Sequence, residues 1–73
     1  MHGYRIVFSM IAVVRNGSQE LIRPLARGLI LIPTSCVDRA GMIEATCGGH
    51  RVRVFQRDLM DRAERIELET ERG

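Results

Sequence analysis

Between Met42 and Phe55, two six-residue segments flank the dipeptide Gly48-Gly49. Glycine enters positive φ at no steric cost, and a two-residue turn of that kind matches the twist of the strands it joins. The turn therefore fixes a register. Cys47 faces His50, Thr46 faces Arg51, Ala45 faces Val52, Glu44 faces Arg53, Ile43 faces Val54 and Met42 faces Phe55. Side chains alternate across a strand, so Ile43, Ala45, Val52 and Val54 share one face, with Glu44, Thr46, Arg51 and Arg53 on the other. One apolar and one wet face is the signature of an antiparallel sheet that covers a core on one side. Glu44 with Arg53 is expected to form a favourable cross-strand pair.

The rest of the chain is read around this hairpin. Tyr4–Val14, rich in Ile, Val and Phe, reads as a long central strand. Asn16-Gly17, both tolerant of positive φ, reverses it, and a return strand runs from about Gln19 through Ile22 until Pro24 ends it. Leu25–Gly28 is a connection, Leu29–Ile32 a short apolar strand closed by Pro33, and Pro33–Gly41 a loop. After Phe55 the period changes. Leu59, Ala63 and Ile66 recur at helical spacing, and Asp61 with Arg65 makes an i, i+4 ion pair. This predicts a helix from about Gln56 to Arg65. Ile66–Leu68 either extends it or adds a last edge strand, and Glu69–Gly73 is a loose acidic tail. The fold class is mainly β: a small barrel or strongly bent antiparallel sheet of four or five strands with one short C-terminal helix.

At 73 residues the chain is a single small domain, with an ordered body over about 4–68. Such a core supplies roughly 3–5 kcal/mol of net stability. That leaves little room for a deep catalytic pocket, and a binding role is favoured over an enzyme. The apolar run from Ile6 to Val14 is too short to cross a membrane, which needs about 20 residues. Two cysteines, Cys36 and Cys47, are too few for a disulfide scaffold, and a reducing cytoplasm is expected. All eleven basic residues are arginine. Residues 1–53 hold seven of them against three acids, and residues 54–73 hold four against six. A basic body followed by an acidic end favours a polyanionic partner, though modestly.

Leu29-Ile30-Leu31-Ile32, the Gly48-Gly49 hairpin, and Val52-Arg53-Val54-Phe55 leading into a helical turn resemble the SH3-like barrel superfamily over Leu29–Leu68. The resemblance implies a small β-barrel binding module. The aromatic cluster of peptide-binding SH3 grooves is missing, with no Trp and one Tyr, so a proline-rich ligand is not implied. Arg27-Gly28-Leu29-Ile30-Leu31-Ile32-Pro33 looks like the strand opening of swapped-hairpin antitoxin and transition-state regulators, without their Gly-x-x-x-Gly-Asp loop. Val52-Arg53-Val54 running into Asp58–Arg62 is similar to the last strand and helix of the carbon storage regulators. Both resemblances imply dimeric nucleic-acid binders, which makes a homodimer plausible here.

The candidate binding residues follow. Arg51, Arg53 and Arg57, with Phe55 on the same strand face and Arg39 bordering it, suit phosphate contacts and base stacking, RNA being preferred. The alternative is a protein-interaction module or small subunit using a barrel edge or the Leu59/Ala63/Ile66 face. Cys47-Gly48-Gly49-His50 has metal-ligand spacing, with Cys36 and His2 as further donors. One such pair is not a motif, and the cysteine is read as a small core residue and the histidine as a turn cap. No catalytic residue, metal or cofactor is assigned.

Overall fold

A computed structural model describes residues 2–68. The tail expected at 69–73 lies outside the described residues. In chain order the elements are β1 (His2–Ile6), β2 (Met10–Asn16), β3 (Gln19–Leu25), β4 (Ile30–Pro33), β5 (Met42–Cys47), β6 (His50–Phe55), α1 (Gln56–Arg62) and β7 (Ala63–Glu67). All strand pairs are antiparallel, and the sheet order is β3-β2-β6-β5-β4-β1-β7. The fold is mainly β with one short helix, as the hydrophobic pattern predicts.

The described residues form seven strands, not four or five. Two causes account for it. First, the expected strand Tyr4–Val14 is broken at residues 7–9, and its partner is broken at 26–29. Arg5↔Ile30 and Met10↔Leu25 nevertheless share one register, since five residues separate the two pairs on each chain segment. β1/β2 and β3/β4 are thus one long hairpin, interrupted once along its length. Second, residues 63–67 form a strand that pairs with β1 along its whole length, from His2↔Glu67 to Ile6↔Ala63.

The sheet is sharply curled. β2 and β1 lie four places apart in its order, about 19 Å if the sheet were flat. The chain from Ile6 to Met10 reaches at most about 14 Å. Only a curled sheet lets residues 7–9 join them. The sheet is not closed into a barrel, because β3 and β7 end it as free edges. Ile6, Met10, Ala12, Leu25, Leu31, Ala45, Val52, Val54 and Leu59 fill the concave side, with Tyr4, Val14, Ile43, Cys47 and Ala63 packed around them.

The hairpin of β5 and β6 has the register the Gly-Gly turn dictates, residue for residue, with Gly48 at φ 60° and Gly49 at φ 84°. The first hairpin turns one residue later than Asn16-Gly17 suggests. Asn16 pairs with Gln19, so Gly17-Ser18 is the turn, and only Gly17 (φ 68°) has positive φ. Pro24 does not end β3 but lies within it, opposite Ile11.

The helix ends at Arg62 rather than Arg65. The carbonyl of Arg62 accepts the N–H groups of Val7 (2.8 Å) and Phe8 (2.9 Å), and the next residues join β1. Pairing with β1 satisfies five residues' backbone where a helix would leave carbonyls open. The expected Asp61–Arg65 pair does not form among the described residues; Asp58 and Arg62 make the i, i+4 contact at 4.0 Å. Leu59, Ala63 and Ile66 do not make one exposed face. Leu59 is buried in the core, while Ala63 and Ile66 sit on a strand, an odd number of residues apart and so on opposite faces.

Candidate functional site

The convex face of β3, β2, β6 and β5 carries two of the predicted arginines, Arg51 and Arg53. Val13 on β2 is opposite Arg53 on β6, which in turn is opposite Glu44 on β5. Continuing the β2–β6 register puts Arg15 beside Arg51 and Ile11 beside Phe55. Across β3, Ile22 faces Val13, Glu20 faces Arg15 and Pro24 faces Ile11. An open cleft of about 520 Å³ is lined by Val13, Arg15, Glu44, Arg51, Val52 and Arg53. A second, of about 490 Å³, is lined by Ala40, Gly41, Phe55, Gln56, Arg57 and Asp58.

Arg51 and Arg53 therefore share one cleft, and Phe55 and Arg57 the next. Arg39 lies beside the second cleft in the 34–41 loop without lining it. Arg51, Phe55, Arg57 and Arg39 are all exposed. Among the described residues, Arg39, Arg51 and Arg57 make no ion pair, whereas Arg53 and Arg15 do. Arg15 is the cationic neighbour that sequence reasoning missed. Its place depends on β2 pairing with β6, a contact between strands 40 residues apart at Val13 and Arg53, which no local signal announces.

The electrostatics differ from the expected arginine stripe. Glu44 is opposite Arg53 as predicted, but the guanidinium of Arg53 turns elsewhere. It donates to Asp38 Oδ2 at 3.0 Å and lies 3.7 Å from Glu20. Glu20 also approaches Arg15 at 3.5 Å. Asp38 is the organising acid of the 34–41 loop. Its Oδ1 accepts the N–H groups of Ala40 and Met42, both at 2.9 Å. The Met42 N–H, with Arg53 and the Ala40 N–H, holds its carboxyl below the usual 3.8 against a smaller opposing effect of desolvation. Three carboxylates, those of Asp38, Glu20 and Glu44, thus stand among Arg15, Arg51 and Arg53. The face is mixed in sign, with Arg15 and Arg53 engaged by acids and Arg51 not.

The sulfur and imidazole groups do not converge. Cys47 and His50 are opposite across the turn, His50 exposed and Cys47 half-buried. Burial pushes the Cys47 thiol up, which disfavours the thiolate a metal or a nucleophilic reaction needs. Cys36 is exposed in the 34–41 loop, and both thiols are free. Among the described residues no three His, Cys, Asp or Glu side chains gather at metal-binding distance. No helix of the described residues is long and apolar enough to cross a membrane.

The other feature missed in sequence is apolar. Ile22 is 69% exposed, Leu21 47% and Ile11 43%, all on the β2–β3 hairpin. Comparison with protein-family models, curated proteins and solved structures finds no match to this chain.

Proposed function

We propose that this chain is a non-catalytic protein-interaction module or small subunit that docks through the β2–β3 hairpin. The observation that carries the reading is Ile22, Leu21 and Ile11 standing in water beside the free edge of β3. Apolar side chains clustered at an unpaired strand edge favour contact with another protein. The mixed charge around Arg53 supports the same choice. A polyanion site draws its affinity from uncompensated cations, and here Asp38 and Glu20 engage Arg53, and Glu20 also Arg15.

A nucleic-acid reading keeps one specific support, the unpaired Arg51 and Arg57 on either side of half-exposed Phe55. One experiment separates the two. Affinity capture with the wild-type chain and with Ile22→Lys, after nuclease treatment, is analysed by mass spectrometry. In parallel, labelled single-stranded RNA is titrated at low and near-physiological salt. The proposal expects a protein partner that survives nuclease and is lost with Ile22→Lys. Tight RNA binding that weakens with salt and with Arg51→Ala/Arg57→Ala, and no protein capture, would overturn it.

A further inference from the structure

We propose that the partner of β3 is a second copy of this chain, joined by antiparallel pairing of the two β3 strands about a two-fold axis at Ile22. This rests on the reading of β3 as a docking edge and names what docks there.

The backbone sets the terms. In an antiparallel pair, alternate residues direct N–H and C=O toward the partner strand and the others direct them away. Asn16↔Gln19 closes a two-residue turn and is a hydrogen-bonded pair. Counting along β3, Leu21, Arg23 and Leu25 then point their backbone at β2, while Glu20, Ile22 and Pro24 point outward. Two observations agree. Ile6 N–H donates to Leu29 C=O at 2.8 Å in the same register and phase. Pro24, which has no N–H to give, falls at an outward position.

A two-fold axis must pass between a residue and its own copy, either an outward residue in a hydrogen-bonded pair or an inward one in a non-hydrogen-bonded pair. Of the inward residues, Arg23 would set two guanidinium groups against each other, and Leu21 would set the apolar Ile22 opposite the partner's Glu20 carboxylate. That leaves the outward residues. Centring on Pro24 loses both central hydrogen bonds. Centring on Glu20 sets two carboxylates against each other, each already engaged with Arg15 and Arg53. Centring on Ile22 meets neither obstacle. Each Ile22 N–H reaches the carbonyl of the partner subunit's Ile22. Each Glu20 N–H reaches the carbonyl of the partner's Pro24. Every outward N–H of the strand is then satisfied, and proline ends the ladder on both sides.

The side chains fit this register. On the convex face Ile22, the most exposed large apolar residue of the hairpin at 69%, meets its own copy, with Val13 behind it and Ile11 and Pro24 alongside. On the other face Leu21 lies opposite the partner's Arg23, whose aliphatic stem can cover it while the guanidinium stays in water. The other free edge, β7, is guarded by the exposed charges Glu64, Arg65 and Glu67. Once the two β3 edges are used the assembly is closed, as the commonest homo-oligomers are.

Sedimentation equilibrium on the full chain, from about 1 μM to about 1 mM, tests this. The mass should rise from 8.3 kDa to twice that value. Ile22→Pro removes the outward N–H and the apolar side chain while sparing the β2–β3 hydrogen bonds, and Ile22→Lys sets two ammonium groups at the axis. Each should raise the dimer Kd about a hundredfold or more, with the far-UV circular dichroism of the monomer retained, while Arg65→Ser on β7 leaves it unchanged. A wild-type chain that stays monomeric at the highest concentration overturns the proposal, as does a dimer indifferent to both Ile22 variants. If that monomer still captures another protein and Ile22→Lys abolishes the capture, the interaction reading stands without the second copy. If it captures nothing, both readings are wrong.

Discussion

Replacing Leu59 by alanine tests how the C-terminal third of the chain is held. Helix α1 has seven residues, and its N-cap, Phe55, offers no side-chain hydrogen bond. A helix this short is not stable by itself in water. Its ends are served by other parts of the fold: Gln56 N–H donates to Gly41 C=O at 2.9 Å, and Arg62 C=O accepts from residues 7 and 8. What pins it to the sheet is Leu59, 2% exposed and the one buried residue of the helix. Losing three carbons there forfeits about 2 kcal/mol of transfer free energy. The unfilled space adds to this, for a total of about 3–4 kcal/mol. A domain of this size has roughly 3–5 kcal/mol in all, so the variant should sit close to its unfolding midpoint in buffer.

The assay is urea unfolding followed by far-UV circular dichroism at a fixed protein concentration. With a slope of about 1 kcal/mol per molar urea, the midpoint falls by about 3 M. Met60, the next residue, is 76% exposed, and Met60→Ala should change stability by no more than about 0.5 kcal/mol. Equal losses from the two variants, or a Leu59→Ala midpoint within about 0.5 M of wild type, would refute the reasoning. Either would show that the helix is not phased with Leu59 inward.

Three further outcomes are expected. Asp38 titrates below its usual 3.8 in the folded chain, so its contribution is present above the unfolded pKa and lost as pH falls through the folded one. The gap in urea midpoint between wild type and Asp38→Asn should therefore be constant near neutrality and shrink below about pH 4; a gap that widens in acid would contradict this. Gly48 has φ +60° with open space around its Cβ position, so Gly48→Ala costs backbone strain alone, about 1–2 kcal/mol. Thermal melting should drop by at least about 4 °C and recover partly in Gly48→Asn, and an unchanged melt would mean the turn does not need positive φ. Cys36 is exposed and Cys47 is half-buried with its thiol pushed up, so iodoacetamide at mildly alkaline pH should modify Cys36 about tenfold faster. Peptide mapping by mass spectrometry reads the two rates, and parity between them would place Cys47 in water.

Legibility in the sequence followed the range of the interactions. Residues 42–55 could be read pair by pair, because Gly48-Gly49 fixes the register and every other position then agrees with it. The first hairpin shows where a local rule is overruled. A turn centred on Asn16-Gly17 would set Met10 opposite Arg23 and Ala12 opposite Leu21. The turn at Gly17-Ser18 sets Met10 opposite Leu25, and both are buried. Burying two apolar side chains together outweighs the better turn dipeptide. The helix was overextended for a similar reason, since the 3.6-residue period of Leu59, Ala63 and Ile66 is real but β1 recruits residues 63–67 as a strand. At the site, Arg51, Phe55 and Arg57 could be placed on one strand and its exit. The neutralising acids could not, because Asp38 and Glu20 reach Arg53 from elements 15 and 33 residues away in the chain.

The two hairpins of this sheet serve as controls for one another. Both present a convex face to solvent, and both are built on glycine turns. On β5 and β6 that face carries Glu44, Thr46, Arg51 and Arg53, with Met42 and Phe55 only at the end away from the turn, which is how a strand pair kept largely in water is composed. On β2 and β3 the same face carries Ile11, Val13, Ile22 and Pro24, with Arg15 and Glu20 only toward the tip. The opposite face of that arm does not explain the apolar residues. The core ends near Ala12 and Leu25, leaving Val14 half-buried and Leu21 exposed. An arm that is apolar on both faces beyond its own core gains little from folding alone where its side chains stay wet: Ile22 keeps 69% of its exposure and Leu21 47%. They gain only when something covers them. That distinction separates a covered edge from a merely hydrophobic loop: Ile22→Thr should leave the stability of the isolated monomer almost unchanged and weaken the assembled form.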